Sequence, residues 1–486
     1  MTTTVKSDKI GIGTLFWMAK KNGFKFPKKY ELTDDGNAQR FADQHGHRVR
    51  WYEAENAWWF FDGRRWKKDD EKRVLGFARE TAREIYREAA NCVEDDRRTK
   101  LATHAKSSSS ANKIEAMLRL VKSDLAITAA MFDRDNFKLN CLNGTLDLRT
   151  GELSLHQAND FITKLVSVNY EPQAEAPRFI QFLNKIFAGK QSLIEFVQQV
   201  LGYSMSGSVI EHKIFICYGL GQNGKSTLFN IVCEILNEYA TETDPHLLLT
   251  KRHTGGGPSE EIYMLRGVRL ATTIETNEDV RLDEARTKKL VSEDMILARP
   301  LHGHYAQFPP THKLFMITNH KPHIRSQSLA MWRRIVLIPF NVIIPKDEKD
   351  LKFLDKLRTE KEGILAWLVS GYLAWQKNDG LPEQLDVTEA TKTYKNEEDT
   401  LEKFIDECCQ RVPSAQTSAS VLFAEFYRWC EKNYAPKPDI AAFKNRMEEK
   451  GFTHKRTKKG NVWLGILLQE MERENVFSKY DNLDGI

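Results

Sequence analysis

Apolar residues fall along this chain in short runs whose period switches between two and about 3.6. Lys213-Ile214-Phe215-Ile216-Cys217-Tyr218 is an apolar run of strand length. Ser226 to Tyr239 carries Leu228, Phe229, Val232, Ile235 and Leu236 at helical spacing. Arg269-Leu270-Ala271-Thr272-Thr273-Ile274-Glu275 and Lys313-Leu314-Phe315-Met316-Ile317-Thr318-Asn319 predict two further strands, each running out on a polar residue. Between them, Asp294 to Phe308 reads as a strand, a tip and a return strand. The order over 212–340 predicts an α/β core with a largely parallel sheet.

The flanking patterns differ. Thr14-Leu15-Phe16-Trp17-Met18-Ala19 is a helical patch ending near Gly23, and residues 51–68 alternate aromatic and polar side chains about Asp62-Gly63, a hairpin signal. Residues 70–132 predict helices broken at Ser107 to Ser110. Asn143-Gly144 and Thr150-Gly151 mark turns in a small β unit, 136–170, and 176–207 returns to helix. Residues 350–395 predict a helical lid. After the polar stretch 395–399, helices over 400–410, 420–433 and 440–450 precede two strands around Lys458-Lys459-Gly460-Asn461, the outline of a winged helix.

With 486 residues, 41% hydrophobic and 29% charged, the chain has room for about two to four domains with proper cores. No apolar run approaches the roughly 20 residues of a membrane helix, and the first residues lack a secretory h-region. The seven cysteines are scattered without a C-x-x-C pair, which suits a reduced, cytosolic setting. Net charge is only +5, so local clusters matter more than the total. The clearest is His454-Lys455-Arg456-Thr457-Lys458-Lys459, with no acid between Gly451 and Leu468. It suits a polyanion such as nucleic acid; a solvated basic loop is the alternative.

The loop Gly219-Leu220-Gly221-Gln222-Asn223-Gly224-Lys225-Ser226 matches G-x-x-x-x-G-K-[ST] at every fixed position, between a strand and a helix as that motif requires. Its glycines let backbone N–H groups crowd phosphate oxygens, and the helix start adds its positive dipole end. Lys225 reaches the β/γ-phosphates in this reading, and Ser226 holds Mg²⁺. Glu275 can hold the Mg²⁺ shell and polarise a water, with Glu278 as a second acid or a solvated loop residue. Asn319, taken alone an ordinary asparagine turn before Pro322, reads beside these features as a sensor of the γ-phosphate. Arg333 and Arg334, taken alone, are a pair of the usual solvated kind; as a finger reaching a neighbouring copy's phosphate they lean on the resemblance given next. Arg299, His302, His304 and Tyr305 at the 299–305 tip suit single-stranded nucleic acid; a metal site at the two histidines is the weaker alternative. Asp133-Arg134-Asp135 lacks the strand a metal-binding acid pair would need and reads as a loop.

GLGQNGKST, RLATTIETNE, LARPLHGHYAQFPPTHKLFMITNHKP and WRRIVLIPF, in that order, resemble the superfamily III helicase domain of phage and plasmid primase-helicases, which are AAA+ ATPases. LNCLNGTLDLRTGELSLH, FIQFLNKIF and FVQQVLGYSMSG look like the helicase-associated module also seen in poxvirus primase-helicases. The resemblance, over roughly residues 30–470, implies an α/β P-loop AAA+ core over 208–345 and a lid and linker over 346–397. It further implies a mixed α+β module over 51–207, a primase-linker-like remnant over 1–50 and a winged-helix-like DNA-binding domain over 398–486. It implies ATP and Mg²⁺ as cofactors, held by Gly219, Gly221, Asn223, Gly224, Lys225, Ser226 and Thr227, with Glu275 reaching Mg²⁺ through water. Glu275, Asn319 and Arg333 or Arg334 join Lys225 in catalysis, and the 299–305 hairpin faces a pore. The implied particle is a homo-hexamer moving 3′ to 5′ on single-stranded and forked DNA, away from membranes, in the cytoplasm of a bacterial host. Because no catalytic primase domain is recognisable, either a separate primase or polymerase as partner or a shortened gene is expected. Lys455, Arg456, Lys458 and Lys459 are the expected C-terminal DNA contacts.

Overall fold

The structure is a computed structural model, and it describes residues 28–250, 260–275, 277–278, 280–299, 305–433, 435, 437–458 and 460–469. The predicted 14–19 helix lies outside these residues. The chain divides into two compact units, one reaching residue 134 and taking in 156–163, the other comprising 135–155 and 164 onward.

The first unit packs α1 (Asp34–His45), α2 (Arg73–Ala90), α3 (Asp95–Ser108) and α4 (Ala111–Leu120) against β1 (Val49–Tyr52), β2 (Ala57–Phe61), β3 (Trp66–Lys68) and β4 (Ala126–Ile127). The strand order is β3-β2-β1-β4. Asp62 makes the predicted turn, accepting from the amides of Arg64 and Arg65 at 2.9 Å each. The core joins Phe41 of α1 to Val49, Phe60, Val74 and Met117. Helix α1 therefore shares a core with strands on the far side of the predicted 50/51 boundary, and the boundary between units falls at 134/135, inside the predicted 51–207 module.

The second unit opens with β5 (Lys138–Cys141), β6 (Gly144–Asp147) and β7 (Glu152–Ser154), an antiparallel meander, then α5 (Pro177–Ile186) and α6 (Gln191–Tyr203). Next come β8 (Ile214–Tyr218), α7 (Lys225–Leu236), β9 (Ala240–Thr243), α8 (Glu260–Tyr263), β10 (Leu270–Glu275) and α9 (Glu284–Leu290). A hairpin of β11 (Ile296–Ala298) and β12 (Ala306–Phe308) precedes β13 (Lys313–Thr318), α10 (Leu329–Trp332) and β14 (Ile335–Pro339). The five long strands form one sheet in the order β14-β8-β13-β10-β9, every pair parallel. Parallel strands covered on both faces read as unbroken apolar runs, and the alternation resolves here into two cores. Phe215, Cys217, Phe315 and Ile317 face one core, while Ile214, Ile216, Leu314 and Met316 face the other. Phe315 stacks on Phe215 at 4.9 Å between centroids and meets Phe229 of α7 at 5.2 Å. Such pairs contribute about 0.5–1.5 kcal/mol each beyond buried area, and here they fix α7 on β8 and β13.

Two buried cations close the amino end of the sheet. Arg269 donates to Lys138 O and Met205 O, each at 2.6 Å. Lys313 donates to the carbonyls of Ser206, Ser208 and Thr311. Arg269 also lies over the Tyr239 ring at 4.5 Å and Lys313 over the Tyr203 ring at 4.9 Å, and burial lowers the Lys313 pKa well below the ordinary lysine value.

After β14 come α11 (Phe353–Arg358), α12 (Lys361–Lys377) and α13 (Leu385–Glu397). Helix α12 lies against α6 closely enough that a Cβ on Gly371 would meet Gln198 O at 2.2 Å. The chain ends its described part with α14 (Thr400–Cys408), β15 (Cys409–Ser418), α15 (Ala419–Lys432), α16 (Ile440–Glu449), β16 (Thr453–Thr457) and β17 (Gly460–Leu468), around a core of its own containing Phe404, Phe426, Phe443 and Trp463. Strand β15 takes the last two residues of the predicted 400–410 helix and most of the gap before the predicted 420–433 helix. It pairs antiparallel with β17 and breaks register between Arg411 and Gln416. Pro413 sits in that break, where no ladder amide is needed.

Candidate active site

The carboxyl ends of three strands stand level: Tyr218 of β8 beside Thr318 of β13, and Thr318 beside Glu275 of β10. The loop 219–224 leaves β8 at this row, Asn319 follows β13 directly, and β8 lies between strands reached in opposite directions. Crevices beyond strand ends at such a switch point are where open α/β sheets bind ligands. A cleft of about 320 Å³ opens here, lined by Gly221 to Thr227, Ile274, Ile317, Thr318 and Asn319.

Local geometry shapes the loop. Gly219 donates to Thr318 O at 3.3 Å, and a Cβ on it would meet both Phe340 O and Asn223 Nδ2 at 2.3 Å, so the position admits no side chain. Asn223 Nδ2 donates to Phe340 O at 3.2 Å, tying the loop to the end of β14. Gly224 has φ +80° and leads into α7 with no side chain capping the helix, which leaves the first-turn amides without a side-chain acceptor. Uncapped amides and the dipole end together favour an anion.

Lys225 is 4% exposed, and its ammonium donates to Gly219 O at 2.6 Å and to Asn223 Oδ1 and Asn319 Oδ1 at 3.1 Å each. All three acceptors are neutral. Burial brings its pKa down to about 8, since no carboxylate among its partners restores the charge. A buried cation held only by dipoles, beside uncapped amides, is chemically suited to an anion. Ser226 is exposed and Thr227 half-buried on the lining of the same cleft. The backbone of Glu275 ends β10 in the same row. Glu278, 76% exposed at its side chain, lies 3.6 Å from His320 Nε2.

Arg333 and Arg334 are not in this cleft. They precede β14, whose first residue, Ile335, pairs with Ile214, the first of β8, whereas the loop follows Tyr218 at the other end. A five-residue strand puts about 13 Å between first and last residues, more than an arginine side chain spans. The two arginines instead share a concavity with Lys213, His212, Glu293 and Asp294. Lys213 donates to Arg333 O at 2.6 Å, and burial lowers its pKa, with Glu211 opposing and both arginines adding to the shift. Sequence reading passed over Lys213, because only the pairing of β8 with β14 brings it beside residues 120 positions away.

Arg299 lies over the Tyr305 ring at 5.2 Å, joining the two sides of the β11–β12 hairpin. His302 and His304 lie outside the described residues, as does Lys459. Lys455, Arg456 and Lys458 are exposed on β16 and its turn, and His454 packs on Trp463 at 5.0 Å. Asp133 accepts from Thr163 N and Oγ1 at 2.8 and 2.6 Å, and Asp135 pairs with Arg149 at 2.8 Å, so both carboxylates are spent on loop structure. Among the described residues no group of His, Cys, Asp and Glu is arranged to hold a metal ion, and no helix is long and apolar enough to cross a membrane.

Residues 38–188 match the family described as D5 N terminal like. A protein of Acanthamoeba polyphaga mimivirus named "Putative helicase" is 26% identical over 342 residues, covering 65% of this chain and 35% of its own. One of Frog virus 3 with the same description is 23% identical over 329 residues, 63% of this chain and 32% of its own. A "Putative primase" of African swine fever virus is 25% identical over 250 residues, 48% of this chain and 26% of its own. This chain thus spans about a third or less of these viral relatives. Among solved structures, the A form apo structure of the NrS-1 C terminal region aligns with a TM-score of 0.47 at 10% identity, over 86% of this chain and 96% of that one.

Proposed function

We propose that this chain, a member of a D5-like primase-helicase family on those matches, is an ATP-driven replicative DNA helicase of a phage, prophage or plasmid. In this reading it is a P-loop AAA+ ATPase that works as a ring, with each triphosphate at the seam between two copies. The observation that carries the reading is the separation just described. Lys225 and Asn319 stand at one end of the sheet and Lys213, Arg333 and Arg334 at the other, so the two sets can share a phosphate only between copies.

The residues present fit ATP with Mg²⁺. The Lys225 ammonium has neutral oxygen partners only, and the loop of Gly219, Gly221, Asn223 and Gly224 leads into a helix start that no side chain caps, where amides can meet a polyphosphate. Bound there, ATP with Mg²⁺ supplies the scissile phosphoryl bond and the divalent charge beside it. Lys225 binds phosphate oxygens, and the Ser226 hydroxyl, with Thr227 beside it, holds the metal side. Glu275 orients and deprotonates a water, and Asn319 fixes its position. Arg333 or Arg334 of the adjacent copy meets charge as it develops on the phosphoryl oxygens.

Arg299, His302, His304 and Tyr305 would track single-stranded DNA in the pore. The 398–468 segment, with three helices and a three-stranded sheet ending in a basic hairpin, suits a winged-helix-like DNA contact. A separate primase or polymerase would complete the assembly. That same basic segment, with its independent core, supports a second reading: a DNA-binding initiator that uses ATP only as an assembly switch. Strand displacement on forked DNA separates the two. ATP-dependent unwinding is expected; ATP-dependent binding with no unwinding would transfer the case to the switch.

A further inference from the structure

Two concavities at opposite ends of the parallel sheet carry charged side chains, three cations at one and two acids at the other, that make no ion pair among the described residues. At the carboxyl end, Arg281, Arg325 and Lys288 line a concavity of about 540 Å³. Arg281 Nε is buried without a hydrogen-bond partner. Burial and the neighbouring Arg325 charge lower its pKa, with Glu284 and Asp283 opposing. Those two acids are occupied: Glu284 accepts from Ser326 N at 2.9 Å, and Asp283 caps its own helix at Arg286 N, 3.0 Å away. Among the described residues none of the three cations has an ion pair with a carboxylate.

At the amino end, Glu293 and Asp294 are exposed in the concavity that also holds Arg333 and Arg334. Asp294 accepts from Ser292 Oγ at 2.9 Å, and neither acid has a cationic partner among the described residues. Helix α9, seven residues long, links one concavity to the other.

The spacing of the two sets is compatible with one seam. His323, four residues after Asn319, bridges to Arg281, so chain reach of about 14 Å and one strand spacing of about 5 Å hold Arg281 within about 19 Å of the cleft. Glu293 and Asp294 share a concavity with the arginines. A contact that carries Arg333 and Arg334 to a neighbour's cleft therefore brings the acids to the region of that neighbour's Arg281.

We propose that Glu293 and Asp294 of one copy seat against Arg281, Arg325 and Lys288 of the next copy, fixing the order and angle of the ring. The inference rests on the ring reading above and deepens it by naming the contact. A phosphodiester chain is the other chemistry a basic concavity could hold. The rim carboxylates of Asp283 and Glu284 weigh against a long polyanion, and the unpaired acids on the opposite face supply the matching partner.

The test uses the full chain with ATP, Mg²⁺ and single-stranded DNA, reading particle mass against protein concentration. Arg281→Glu with Arg325→Glu, and separately Glu293→Lys with Asp294→Lys, should each raise the assembly midpoint roughly tenfold or more through like-charge contact. Circular dichroism and binding of a fluorescent ATP analogue report that each variant is folded. Combining all four changes in one chain, or mixing the two variants in equal amounts, should restore assembly, because every seam then regains opposite charges. Normal assembly of both variants overturns the pairing while leaving the ring intact. Normal assembly with weakened DNA binding in the Arg281→Glu, Arg325→Glu variant overturns it in favour of a phosphodiester site. A wild-type chain that stays monomeric under every condition overturns the ring reading itself, and the pairing with it.

Discussion

The Lys225 ammonium donates to Asn319 Oδ1 at 3.1 Å. This bond joins the first residue of α7 to the residue that follows β13, across the mouth of the cleft. It gives the lysine a neutral placeholder where an anion fits, and its consequence is a dependence on pH.

The Lys225 pKa lies at about 8 because burial disfavours its charge. An anion beside the amine favours the charged form and raises that pKa, so binding above pH 8 takes up a proton. Nucleotide Kd is therefore expected to be flat below about pH 7.5 and to rise by up to tenfold per pH unit above about 8. Calorimetry at pH 8.5 in buffers of different ionisation enthalpy measures the proton directly. Lys225→Arg stays charged and should flatten the profile, and Lys225→Ala should lose hydrolysis. An unchanged Kd from pH 7 to 9.5 in the wild type contradicts this account of the lysine.

The arginine pair has a different signature. Arg333→Ala or Arg334→Ala should leave nucleotide binding within about threefold of wild type, yet one of the two should lower turnover by roughly 10³-fold or more. Small proportions of that variant mixed into wild type should depress turnover beyond their share. Full turnover in both variants removes the shared-phosphate reading.

At the other end of the chain, replacing Lys455, Arg456 and Lys458 with Ala should weaken binding to all DNA sequences alike. For every phosphate the variant no longer neutralises, the slope of log K against log salt should shrink by about 0.7 on single strands. A sequence-selective weakening with an unchanged slope would assign these side chains to bases instead.

Packing gives a fourth expectation. Gly371→Ala drives a methyl group towards Gln198 O, 2.2 Å from the Cβ position, where α12 meets α6. Overpacking of this kind costs about 1–3 kcal/mol, and the melting temperature should fall by several degrees. Gly76→Ala, with nothing within 4 Å of its Cβ in α2, is the control and should be neutral or stabilising by up to about 1 kcal/mol. Equal melting temperatures for the two variants would refute the close approach of the helices.

The parallel sheet was legible in the sequence because strands covered on both faces are continuous apolar runs, as Ile214 to Tyr218 and Leu314 to Thr318 are. The glycine-bearing turn from β8 into α7 was legible because its glycines and lysine are local. Strand β15 was hidden: Gln410, Arg411 and Gln416 are polar, Pro413 interrupts the run, and its pairing partner, β17, lies some fifty residues on. Lys213 was hidden for a related reason, since its place beside Arg333 depends on which strands are neighbours. The relation of α1 to the β1–β3 hairpins was likewise a matter of shared core, which composition at the 50/51 junction does not reveal.

The sheet with cations at both ends has a consequence for supply. If each end holds half of a working centre, a solitary molecule idles, and fuel consumption climbs with more than the first power of concentration. Copies released from an assembly into dilute surroundings would then fall silent without any inhibitor.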